Sequence, residues 1–323
     1  VILVLRALGV GDLATAVPAL RGLRAGLPGH ELVLAAPAWL APLAELTGVV
    51  DRVLPTPGLA DRPAWPGPPP EVAVNLHGRG PRSHRMLAAA RPGRLLAHRN
   101  AEAGHLAGPA WDDDEHEVRR WCRLLHWYGL PADPGDLALR RPPPAAVPAG
   151  VTVLHPGSKI PAKRWPADRF TALARTLTAR GHRVVLTGST DERDLAARVA
   201  RDAGLPPAAV LAGRTGLAEL AALVADARLV VSGDTGVAHL ATGYGTASVV
   251  LFGPVPAAHW GPPPDRPRHR VLGATGRAGT DTDWPASGGV GTHPTLAAIE
   301  VDEVVAAVDE AERAVRVSGA IAA

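Results

Sequence analysis

The chain has 323 residues, of which 46% are hydrophobic and 20% charged, with 35 glycines and 33 prolines. That is the length of about two domains, and the composition excludes a coiled coil or a disordered chain. The net charge is only +3, and no basic run interleaves with aromatic residues, so nucleic acid is not an expected partner. The single cysteine, Cys122, rules out an internal disulfide and a multi-cysteine metal site, as expected of a protein in a reducing cytoplasm.

Short apolar runs alternate with helical periodicity along the whole chain, the pattern of parallel strands covered on both faces by crossover helices. In the first half Val1–Leu5, Glu31–Ala35, Arg52–Leu54 and Glu71–Asn75 read as strands. Leu13, Val17, Leu20 and Leu23 keep helical spacing, and that helix should end at Gly26 with Pro28 beyond it. A second helix is predicted from about Asp113 to Tyr128, its start carrying Asp112, Asp113, Asp114 and Glu115 against the positive helix end. Leu130–Gly150 holds six prolines without a sustained period and reads as an interdomain linker.

The pattern then restarts. It predicts strands at Val151–His155, Arg183–Thr187, Arg228–Ser232 and Ser248–Phe252, and helices at Ala167–Ala179, Asp191–Ala203 and Leu217–Ala225. A short helix should begin at Thr235, and a final one should span about Val301–Val315. Pro262–Pro294 is rich in Gly and Pro and has no assignable element. No stretch reads as a signal peptide or a spanning helix.

Three strand-to-helix junctions carry chemistry. Gly9-Val10-Gly11-Asp12-Leu13-Ala14 fits a G-x-G-x-x-A dinucleotide fingerprint. A carboxylate inside that loop has the wrong sign for a pyrophosphate, however, and no acidic residue ends the second strand, where Ala35 and Ala36 stand. Asp12 is better placed to take a proton from a substrate hydroxyl, or simply to cap its helix.

The second junction, His155-Pro156-Gly157-Ser158-Lys159-Ile160-Pro161-Ala162-Lys163-Arg164-Trp165-Pro166, contains both lysines of a chain with 34 basic residues. A hydroxyl, a glycine and ammonium groups at such a place suit phosphate binding, although the loop does not match the Walker pattern. The third is Ser232-Gly233-Asp234-Thr235-Gly236-Val237-Ala238-His239. There the Thr235 and Gly236 amides could meet an anion and Asp234 could accept sugar hydroxyls, or Asp234 could be only a helix cap with His239 in the core.

Two further stretches are weaker. Asp112-Asp113-Asp114-Glu115-His116-Glu117 is explained by a solvated acidic helix start without a metal. Asn75-Leu76-His77-Gly78-Arg79-Gly80-Pro81-Arg82 follows a strand of the first module and is either an acceptor loop or an ordinary polar one.

In their joint order these motifs, with Arg6 ahead of Gly11-Asp12 and Leu251-Phe252-Gly253-Pro254 behind, resemble glycosyltransferase family 9, the group of the ADP-heptose:lipopolysaccharide heptosyltransferases. The resemblance runs from residue 1 to about 260. It implies a GT-B fold, two Rossmann-like α/β domains facing a central cleft, with an acceptor domain at 1–141 and a nucleotide-sugar domain at 151–300. The helix of 301–323 would cross back to the first domain.

The implied activity is an inverting, metal-independent transfer of a sugar, with heptose from ADP-heptose the leading choice, to a glycan or small-molecule acceptor, without a cofactor. Asp12 matches the proposed general base, and Lys163 and Ser158 match contacts to donor phosphate. Asp234 matches the acid at the donor sugar, and Thr235 and Gly236 the amides at the diphosphate. Glu192, beside Asp191, takes the nucleoside side, and His239 is counted with the donor residues. Arg6, Asn75, His77, Arg79 and Arg82 are expected on the acceptor side. A non-catalytic relative and a nucleotide-sugar epimerase of the same fold are the alternatives, an oxidoreductase a distant third. A peripheral contact with the inner face of the membrane stays open.

Overall fold

The computed structural model describes residues 1–60, 65–273 and 291–322, the side chains of 319–322 excepted. The chain divides into two compact units, Val1–Arg140 and Arg141–Ala323. Among the described residues no helix is long and apolar enough to cross a membrane.

The first unit is a parallel sheet of β1 (Ile2–Leu5), β2 (Leu32–Ala36), β3 (Arg52–Pro55), β4 (Val72–Asn75) and β5 (Arg94–Leu96) in the order β3-β2-β1-β4-β5. Its helices are α1 (Val10–Thr15), α2 (Val17–Gly26), α3 (Ala41–Leu46), α4 (Arg82–Ala88) and α5 (Glu117–Trp127). Every residue of β1, β2 and β4 is buried, which is why these runs are continuously apolar rather than alternating. One predicted helix is two. Pro18 has no N–H to give the carbonyl of Ala14, so α1 stops at Thr15 and α2 starts afresh with the proline in its first turn.

Asp113, Asp114 and Glu115 lie ahead of α5 rather than in its first turn, which holds Glu117. The His116 ring caps the helix by accepting from the Val118 N–H at 3.2 Å. The predicted linker is also shorter than its prolines suggest, because Leu137 packs with Val118 and Cys122 and Leu139 is buried, tying 131–140 to the first unit.

The second unit is a parallel sheet of β6 (Thr152–His155), β7 (Val184–Leu186), β8 (Leu229–Gly233), β9 (Ser248–Phe252) and β10 (His269–Gly273), ordered β10-β9-β8-β6-β7. Val210 adds a single parallel bridge to Leu186 outside β7. Counted as a strand, it completes the 3-2-1-4-5-6 order of a dinucleotide-type fold.

Around this sheet lie α6 (Ala167–Ala179), α7 (Arg193–Asp202), α8 (Leu217–Ala225), α9 (Gly236–Tyr244), α10 (Ala257–Trp260), α11 (Pro294–Ala298) and α12 (Val301–Ala322). The face of α6 formed by Phe170, Leu173, Ala174 and Leu177 is buried in one core with Val304, Val308 and Ala311 of α12. The last helix packs on α6, β9 and β10 of the second unit. The unassigned stretch supplies β10 and ends at the first residue of α11; 274–290 lie outside the described residues.

In register, Leu5 of β1 pairs with Asn75 of β4, and His155 of β6 with Ser232 of β8. In each sheet these are the two strands at which the strand order reverses. Crevices at the carboxyl ends of such strands are where open α/β sheets bind ligands.

Candidate active site

In the first unit the loop after β1 carries Asp12 and the loop after β4 carries His77. Asp12 is in the first turn of α1, and its Oδ2 accepts from the Gly9 N–H at 3.0 Å. It therefore caps its helix, yet its side chain keeps 28% exposure. The two readings of Asp12 are compatible, because a capped carboxylate is oriented and still reaches solvent.

Arg6 lies beneath it, and its side chain is fully buried. Nε donates to the Asp12 carbonyl at 2.9 Å and Nη1 to the Leu76 carbonyl, while Nη2 serves Thr15 Oγ1 at 3.3 Å and Glu117 Oε1 at 2.8 Å. Its guanidinium also stacks over Trp121, 4.9 Å from the ring centroid. Burial works against the Glu117 carboxylate, but Arg6, Arg120 and the Trp121 N–H together hold its pKa below the usual range. Arg6 is thus corrected from an acceptor contact to a buried strut joining the loop after β1 to the loop after β4.

Asn75 is corrected likewise. It is fully buried, with its Nδ2 at 2.9–3.1 Å from the Gly78 carbonyl, Ser83 Oγ and His84 Nδ1, among which its two N–H bonds are shared, while its Oδ1 accepts from the His77 N–H at 3.0 Å. His77, Arg79 and Arg82 remain within reach of a ligand: His77 is half-buried and the two arginines are exposed.

Glu117 is the residue the sequence reading missed, hidden in an acidic run that looked solvated. The available signal was Arg120 and Trp121 three and four residues on, which place the carboxylate on the apolar face of α5.

In the second unit the loops after β6 and β8 meet. Lys163 Nζ is 2.6 Å from Asp234 Oδ2, with side-chain exposures of 19% and 8%. His239 Nε2 lies 3.9 Å from Asp234 Oδ1 and packs edge-on against Trp260. The close approach of the loops needs Gly233, where a Cβ would sit 2.9 Å from the Lys163 carbonyl. Thr235 precedes the first turn of α9 with extended backbone. Its hydroxyl does not cap the helix, and its Oγ1 is buried without a hydrogen-bond partner. A cation, an uncapped helix N-terminus and an unused hydroxyl together suit an anion.

Glu192, not the exposed Asp191, turns inward. Its Oε2 accepts from Ser189 N at 2.7 Å and Ser189 Oγ at 3.0 Å, and its carboxylate lies against Gly157, where a Cβ would come within 2.2–2.6 Å of it. Ser158 is buried, and its Oγ accepts from the Ile160 N–H at 3.3 Å. Trp165 anchors the loop from below through an N–H bond of 3.0 Å to the Ile299 carbonyl.

Among the described residues no group of three or more His, Cys, Asp or Glu converges as a metal site would require. Cys122 is a free, buried thiol whose pKa burial pushes up to about 12, so it is core and no nucleophile.

The family model described as glycosyltransferase family 9 (heptosyltransferase) matches residues 110–279, more than half of the chain. The chain belongs to glycosyltransferase family 9. A stretch of 89 residues is 36% identical to lipopolysaccharide heptosyltransferase 3 of Escherichia coli, covering 27% of this chain and 26% of that protein. The match therefore spans about a quarter of this curated family relative. Among solved structures, the E. coli ADP-heptose LPS heptosyltransferase II is similar at 22% identity, covering 97% of this chain and 98% of that one with a TM-score of 0.74. A family 9 glycosyl transferase from Veillonella parvula DSM 2008 is similar at 18% identity, covering 97% of each chain with a TM-score of 0.76. Both carry two parallel-sheet α/β domains, the GT-B fold of the family.

Proposed function

We propose that the protein is an inverting glycosyltransferase that moves a heptose from ADP-heptose to a hydroxyl of a glycan acceptor of the lipopolysaccharide type. The observation that carries this reading is the Lys163–Asp234 pair at the N-terminus of α9, a preformed site for a sugar diphosphate. The names of the relatives, ADP-heptose and lipopolysaccharide heptosyltransferases, supply the choice of sugar, nucleotide and acceptor.

In this mechanism the second unit binds the donor. Lys163, Ser158 and the Thr235 and Gly236 amides meet the diphosphate, Asp234 and His239 the sugar, and Glu192 the nucleoside. The first unit holds the acceptor, with His77, Arg79 and Arg82 around it. Asp12 takes the proton of the attacking hydroxyl as its oxygen bonds to the anomeric carbon, on the face opposite the diphosphate. The carbon–oxygen bond to phosphate breaks, and its electron pair leaves with ADP, whose growing charge Lys163 and the helix amides stabilise without a bound metal.

The test is turnover of ADP-heptose with heptose-deficient lipopolysaccharide, before and after treatment with a chelator. A product of inverted anomeric configuration at a rate the chelator leaves unchanged supports the reading. Conversion or release of the donor sugar with no acceptor product would make the protein an epimerase or hydrolase instead.

A further inference from the structure

His77 stands beside Asp12 at the carboxyl edge of the first sheet, and two hydrogen bonds of its own fix it. Arg6 Nη1 holds the preceding carbonyl, that of Leu76, and the His77 N–H donates to Asn75 Oδ1 at 3.0 Å. Asn75 is itself locked by Ser83 and His84, and the His84 Nε2–H continues the chain to the His98 carbonyl at 2.7 Å. The His77 ring nitrogen Nδ1 accepts from the Ala7 N–H at 3.2 Å. An accepting Nδ1 puts the ring proton on Nε2. Burial first and the Arg6 charge second push the ring pKa down to about 4, against the pull of Asp12, so the imidazole is neutral near pH 7.

The loops after β1 and β4 are neighbours because Leu5 pairs with Asn75. The Asp12 carboxylate and the Nε2–H of His77 therefore stand at one sheet edge, braced by the same arginine. One can only accept a proton and the other only donate a hydrogen bond.

We propose that His77 is a substrate-positioning residue of the transfer, donating its Nε2–H to an acceptor oxygen beside the hydroxyl whose proton Asp12 takes. This rests on the reading of the first unit as the acceptor side. A rigid donor next to the base turns a flexible polyol into one presented hydroxyl and selects which hydroxyl that is.

The test uses the full chain with ADP-heptose and heptose-deficient lipopolysaccharide as probe substrates. His77→Ala should raise the acceptor KM about three- to tenfold, the usual worth of one hydrogen bond, and should scatter transfer over more than one acceptor hydroxyl. The KM for ADP-heptose should not change. His77→Gln, which keeps an N–H donor at similar reach, should recover most of the acceptor KM and the single product. A merely structural histidine would instead lower the melting temperature in both variants and leave acceptor KM and product position alone; that result overturns the proposal. Asp12→Asn is the parallel control. If it lost no turnover, or if the wild-type chain were inert with these substrates, the acceptor-edge reading itself would fall and His77 with it.

Discussion

Lys163 and Asp234 are 71 residues apart in sequence and 2.6 Å apart in space, each presented by a loop that leaves the carboxyl end of a neighbouring strand. Half-buried charges so close are worth having only if both stay paired or a ligand takes the place of one partner, since a buried charge left alone is costly. On the proposed function a donor diphosphate would be such a ligand for Lys163, and sugar hydroxyls such ligands for Asp234.

Lys163→Ala should therefore weaken donor binding sharply, and Lys163→Arg should restore little of it, because a flat guanidinium cannot occupy the space of a compact ammonium. Calorimetry with ADP-heptose measures both; unchanged affinity in Lys163→Ala would remove this residue from the phosphate site.

Asp12→Asn should cut turnover by ~10²–10⁴-fold, the size of general-base catalysis, while donor affinity is kept. The amide can no longer take a proton and cannot cap the Gly9 N–H as strongly as a carboxylate, so a small loss of helix stability should accompany the kinetic effect. Wild-type turnover in this variant would leave Asp12 a cap and nothing more.

Gly157→Ala tests the nucleoside side. The added methyl would overlap the Glu192 carboxylate, which must swing out and release the Ser189 N–H and hydroxyl. Donor affinity should fall about as far as in Glu192→Ala, and the double variant should be no worse than either single one. Additive losses would mean that the two positions act separately.

Arg6→Met should destabilise the first unit by about 1.5–3 kcal/mol, the worth of a hydrogen bond to a charged group, because it leaves the buried Glu117 carboxylate with Arg120 and the Trp121 N–H as its remaining partners. Adding Glu117→Gln should return part of that loss. Urea unfolding of the four variants gives the coupling directly, and purely additive effects would contradict the strut.

Acid should loosen the protein well before its carboxylates titrate. Burial, helped by nearby arginines, lowers the pKa of His98 to about 3 and those of His77 and His269 to about 4. Below about pH 6.5 an unfolded histidine takes up a proton that these folded ones refuse, so stability is full above that pH and falls as pH drops toward 4. Glu117 and Glu312 have lowered values, so their contribution is lost only at lower pH. The urea midpoint should fall between pH 7 and pH 5. His98→Leu, which removes a ring whose two nitrogens have no hydrogen-bond partner, should make that fall shallower. A midpoint flat over this range would show these histidines to be solvated.

Much of the fold was legible because its signals are local. A fully buried parallel strand must be apolar throughout, and so Ser248–Phe252 and the helices Ala167–Ala179 and Leu217–Ala225 were read at their observed limits. β5 was missed because Arg94 is exposed and only Leu96 of its three residues is buried, and β10 because only His269 of its five is. The break between α1 and α2 was overlooked because the apolar spacing runs on across Pro18.

By itself the sequence marked which residues are candidates for chemistry, since a lysine-bearing turn, a glycine-flanked aspartate and a strand-to-helix junction are written in adjacent letters. Only the tertiary structure decided their partners and their burial. Hydrogen bonds and ion pairs act over about 3 Å, and which side chains come that close depends on strand order and register. That is why Arg6 and Asn75 are buried supports, why Glu117 lies in the core, and why Lys163 pairs with Asp234.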